Sequence, residues 1–60
     1  MTQLNKNAKK DTIIINKAHP DWNTWRITKT PTTKEEWFDI RGDAGERVLF
    51  LDEIQFWNIV

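Results

Sequence analysis

The side chains able to do chemistry in this sequence are few, and most of them are aromatic. The chain has no Ser, Cys or Tyr, so the usual activated nucleophiles are missing. Its single histidine, His19, precedes Pro20, and Asp21 is the only nearby carboxylate that could orient it as a general base. A solvated loop histidine is the simpler reading. Asp39, Asp43 and Glu46 cluster around two glycines, but their spacing departs from the alternating acids of a calcium loop. The sequence therefore predicts no catalytic residue, no metal site and no cofactor. Arg41-Gly42-Asp43 spells a cell-adhesion tripeptide, which we read as part of a turn.

What the chain offers instead is binding. Trp22, Trp25, Trp37 and Trp57 are four tryptophans in 60 residues. One small core hides about two such rings, and the others reach the surface, where indole normally contacts something. Two surfaces are conceivable. Trp37 and Trp57, with Asp39 and Arg41, would form an aromatic patch beside charges, as protein interfaces do. Lys6, Lys9, Lys10, Lys17, Arg26 and Lys29 around Trp22 and Trp25 would suit a single-stranded nucleic acid, with cations for phosphates and rings for bases. Net charge is zero, which argues for the first. The balance is uneven: residues 1–34 carry +5 and residues 35–60 carry −5. Either the two halves meet different partners, or basic and acidic strands lie side by side.

The elements that would position these residues are short strands. Residues 1–10 are polar and read as a flexible basic tail before a single small β domain, 11–60. The Ile13-Ile14-Ile15 run is β-branched and predicts a strand over Asp11–Asn16, with bulk on both faces. Lys17–Thr24 reads as a loop around Pro20. Trp25–Thr30 alternates, with Trp25 and Ile27 on one side and Arg26 and Thr28 on the other.

Residues 33–41 send conflicting signals. Thr33 and Glu36 match a capping box and predict a helical turn, whereas Trp37-Phe38-Asp39-Ile40 alternates as a strand. We take Glu36–Arg41 as a strand. In it Phe38 and Ile40 point inward, and Trp37, Asp39 and Arg41 point outward. Gly42-Asp43-Ala44-Gly45 is the strongest turn signal, with two glycines free to adopt positive φ, and closes a hairpin onto Arg47–Leu51. From Val48 onward nine of thirteen residues are apolar, so Ile54–Val60 is read as a last strand. If Ile54 and Phe56 face inward there, Trp57 and Ile59 face outward. The Asp52-Glu53 pair marks a solvated bend before it.

The expected fold is all-β: a small, strongly bent sheet or an SH3-like barrel of about five short strands, with at most one helical turn near 33–41. The long hairpin, tight glycine turn and apolar final strands resemble the layout of SH3-like or Sm-like barrels, without the signature residues of either. A free edge on the last strand predicts a homodimer through it. No leader-like or membrane-spanning stretch is present, which predicts a cytoplasmic protein. The functional expectation is a small non-catalytic protein-binding module, an inhibitor or adaptor of the kind found in phages and other mobile elements. The alternative is a single-stranded nucleic-acid binder.

Overall fold

Period-2 patterning and β-branched runs set most of this chain as strand. The computed structural model describes residues 2–60. They form six strands: β1 (Thr2–Gln3), β2 (Ile13–Asn16), β3 (Thr24–Lys29), β4 (Trp37–Gly42), β5 (Gly45–Phe50) and β6 (Trp57–Ile59). Two 3-10 segments interrupt them, η1 (Pro20–Trp22) and η2 (Leu51–Phe56). All six strands lie in one antiparallel sheet of order β1-β6-β2-β3-β4-β5.

The sheet has one packed face. Ile14, Trp25, Ile27, Phe38, Ile40, Leu49 and Trp57 share it and are buried. Alternation puts Ile13, Arg26, Trp37, Asp39, Arg41, Val48 and Phe50 on the other face. Among the described residues no second sheet covers the packed face. Leu4 lies in the core cluster, and Ala8, Trp22, Leu51 and Ile54 pack against it. The six residues of η2 touch β5 on one side and β6 and β1 on the other. The sheet therefore curls until η2 spans the opening between its two edges. Those edges do not pair, and the barrel stays open.

Several sequence expectations need correction. Within the expected tail, the described residues Thr2–Leu4 are held in place. Thr2 and Gln3 pair with Ile59 and Asn58, the Leu4 amide donates to the Trp57 carbonyl (2.9 Å), and Leu4 is 1% exposed. A lone leucine in a polar stretch becomes a core residue because β6 offers it a strand to pair with. The last strand is not an edge. β6 lies between β1 and β2, so a homodimer through its free edge has no free edge to use; β5 is the exposed long edge. Residues 51–56, partly assigned to strands, instead form η2, whose Asp52 and Glu53 lie in its first turn.

The helical turn near 33–41 does not form. Thr32, not Thr33, supplies the hydroxyl: its Oγ1 accepts from the amides of Lys34 (3.3 Å) and Glu35 (3.0 Å). The Thr32 amide donates in turn to the Glu35 carbonyl (2.9 Å). This closes a turn, and the chain then enters β4, where Phe38 and Ile40 gain burial between β3 and β5. Tertiary pairing overrides the cap.

The glycine turn is also built differently from its simplest reading. Neither Asp43 nor Ala44 has positive φ, so this is not a primed two-residue turn; Gly45 alone does, at +114°. Gly42 is required for a separate reason, a close approach to Trp25.

Candidate functional site

The outer face of the sheet is built rung by rung from cross-strand pairs. Trp37 on β4 opposes Phe50 on β5, and their rings meet edge to face at 6.0 Å between centroids. This geometry suits the ring quadrupoles, with Trp37 partly buried beneath a more exposed Phe50. Phe50 is 49% exposed and its neighbour on the same face, Val48, is 42% exposed. Beyond the end of β4 and β5 this pair borders a cleft of about 570 Å³, lined also by Lys34, Glu36, Asp52 and Glu53.

The next rung carries Asp39 between Val48 and Lys29. A bulge places Lys29 there: register shifts between Ile27 and Lys29, and the extra residue, Thr28, donates its hydroxyl to the Asp39 carbonyl (3.1 Å). Lys29 also holds Glu35 at 2.9 Å, and that hydrogen bond with its charge attraction raises the Lys29 pKa above its ordinary value. The third rung runs Ile13, Arg26, Arg41, Glu46. Ile13 is 39% exposed.

Trp37, Asp39 and Arg41 thus lie together on one face of β4, as their alternation predicts. Trp57 does not join them. It is 1% exposed and meets Trp25 in a T-shaped contact at 6.2 Å. The inversion follows from η2. Because residues 51–56 leave the sheet, Ile54 and Phe56 do not set the parity of β6. Trp57 instead opposes Asn16 and turns inward, leaving Phe56 52% exposed. Phe50 and Val48 were not anticipated as site residues. Their signal was in the sequence, since they alternate with the inward Leu49 and must sit opposite Trp37 and Asp39 once the glycine turn is placed.

The basic residues of the alternative surface do not come together. Lys6, Lys9 and Lys10 line one shallow cleft of about 390 Å³ with Thr30 and Pro31. Arg26 and Lys29 lie on the outer face, and Lys17 lies in the loop after β2, its amide donating to the Phe56 carbonyl (2.8 Å). Trp25 is 6% exposed, too deep to stack on a base, and its Nε1 has no hydrogen-bond partner among the described residues. Trp22 is half-buried, with its ring already engaged. His19 stacks on it at 4.1 Å between centroids and 9° between planes, and the Arg47 guanidinium stands 5.2 Å from the ring centroid.

The loop that presents Trp22 is organised by a buried asparagine. Asn16 Oδ1 accepts from the amides of Ala18 (2.9 Å) and His19 (3.0 Å). The His19 carbonyl then accepts from the Trp22 amide (3.0 Å), closing η1. His19 is thereby committed to stacking and backbone geometry, and Asp21 makes no hydrogen bond to it. Among the described residues no three His, Cys, Asp or Glu side chains gather as metal ligands would, and no helix is long and apolar enough to cross a membrane. Comparison with protein-family models, with curated proteins and with solved structures finds no match.

Proposed function

We propose that this chain is a small non-catalytic protein-binding module that engages its partner through the outer face of the sheet. The carrying observation is the exposed Phe50 ring packed edge to face on a partly buried Trp37, extended by Val48 on the same face. Rigid aromatic anchors of this kind dominate interface energetics because they bury much area at little loss of conformational freedom. Asp39 and Arg41 alternate with Trp37 along β4 and give the surface polar contacts that fix orientation. An adaptor or inhibitor, working by occupying a surface of another protein, needs nothing more. Small stand-alone binders of this style are frequent in phages and mobile elements, an analogy of size and style alone.

The test is partner capture from one cell extract by the wild-type chain and by Trp37→Ser, both first shown to be folded by circular dichroism. A protein retained by the wild type and lost by the variant supports the reading. Identical captured sets, or recovery of nucleic acid alone, overturn it. The nucleic-acid reading keeps one supporting feature, the shared cleft of Lys6, Lys9 and Lys10. Its own rings are not open for stacking: Trp25 is buried, and Trp22 is already engaged by His19 and Arg47.

A further inference from the structure

Two arginines stand side by side on the outer face. Arg26 on β3 and Arg41 on β4 are direct cross-strand partners. Such partners place their Cβ atoms roughly 4.5–5.5 Å apart on one face, and like charges so placed repel. Among the described residues the only ion pair at either guanidinium is a loose one: Glu46 Oε1 lies 4.0 Å from Arg41 Nη1, with both side chains mostly in solvent. Arg26 has none. The adjacent rung shows the contrast. There a bulge brings Lys29 opposite Asp39, an attractive pair. The sheet thus matches opposite charges on one rung, while on the next Arg41 has Glu46 on one side and Arg26 on the other.

We propose that Arg26 and Arg41 together receive a single carboxylate side chain of the bound polypeptide; this rests on the reading of the outer face as the protein-binding surface. Two guanidiniums on neighbouring strands can donate to both oxygens of one carboxylate, and such charge-assisted bonds are the strong ones. Ile13 directly opposes Arg26 on the other side and offers apolar surface for its aliphatic stem. Trp37 and Arg41 lie on the same face of β4, four residues apart, a separation of roughly 13–14 Å at about 3.4 Å per residue. The occupant is therefore an extended segment bearing an acid, with an aromatic or large aliphatic residue four positions away to reach Trp37 and Phe50.

A nucleic-acid backbone offers the same anionic chemistry and fits less well. Asp39 and Glu46 flank the arginine pair on the same face, and a continuous line of phosphates would run over them. An isolated carboxylate between apolar neighbours avoids both.

The experiment uses the full chain, labelled with 15N, and two synthetic twelve-residue peptides. Each peptide carries a tryptophan and, four residues on, either glutamate or glutamine. The readouts are the Nε–H signals of Arg26 and Arg41, the indole N–H of Trp37, and the dissociation constants. The glutamate peptide should move all three signals and bind at least tenfold more tightly than the glutamine peptide. Arg26→Met and Arg41→Met should each abolish that difference without moving core amide signals. Equal binding of the two peptides, with Trp37 shifting and the arginines still, overturns the carboxylate assignment and leaves the outer-face reading standing. Absence of binding by either peptide overturns the assignment as well, while the capture experiment continues to judge the outer face on its own. A single-stranded DNA twelve-mer that moves the arginine signals at lower concentration than the glutamate peptide overturns it in favour of phosphate.

Discussion

A Cβ at position 42 would stand 2.7 Å from Cδ2 of Trp25 and 3.0 Å from Cε2 and Cε3, so Gly42 is the floor on which the indole lies. The ring is nearly fully buried and touches Trp57 on the other side of the core. Neither partner can give way easily: one is backbone in a paired strand and the other is a wedged tryptophan. Gly42→Ala should therefore destabilise the fold by about 1–3 kcal/mol through overpacking. Gly45→Ala meets no atom within 4 Å, and its penalty comes only from φ of +114°, which L side chains rarely adopt. Urea unfolding of both variants by tryptophan fluorescence checks this, and only Gly42→Ala should change the native emission of Trp25. An unaltered midpoint for Gly42→Ala would mean the ring slides aside.

The tryptophans should separate by mutation. Trp57→Ala removes a fully buried ring at a cost of about 3–5 kcal/mol. A 60-residue domain has only about 3–9 kcal/mol in total by the per-residue scale, so this variant should lose from a third to all of its stability. Trp37→Ala removes a partly buried ring outside the core, on the outer face, and should leave a cooperative unfolding transition while abolishing partner capture. Thermal melts followed by circular dichroism distinguish the two.

Deletion of residues 1–10 should unfold the chain rather than trim it. Leu4 alone, truncated to Ala, should cost about 2–5 kcal/mol, because it is buried and its strand closes over β6. Hydrogen exchange should show protection of the Leu4 amide, which donates to the Trp57 carbonyl. Rapid exchange there, together with a neutral Leu4→Ala, would return these residues to the status of a tail.

The arginine pair predicts a trade between stability and binding. Arg26→Thr relieves cross-strand repulsion and places a β-branched residue in a central strand, so stability should rise by roughly 0.2–1 kcal/mol. Partner affinity should fall in the same variant. A loss of stability, measured by urea denaturation, would show that the two guanidiniums do not repel in the folded state.

Lys6, Lys9 and Lys10 offer a discriminating charge test. Replacing all three with Gln should leave capture of the protein partner unchanged. Fluorescence titration with single-stranded DNA at low salt should give no response in either form. A wild-type response whose salt slope drops by about two units in the triple variant would instead promote the nucleic-acid reading.

The sequence by itself determined what is local. Alternation in Trp25–Ile27 and Trp37–Arg41 assigned each side chain to a face, and the glycines placed the hairpin between β4 and β5. That was enough to put Trp37, Asp39 and Arg41 on one surface, because period 2 allows a strand no other arrangement. Tertiary structure decided what is not local. Whether Thr2–Leu4 becomes a tail or a strand depends on β6, more than fifty residues away. The parity of Trp57 depends on η2 lifting residues 51–56 out of the sheet. The exposed edge depends on β6 inserting between β1 and β2, an order no single segment encodes. Pairing between distant strands is settled by which burial wins after loop closure, and Leu4 and Trp57 pack into the same core because they are brought together there.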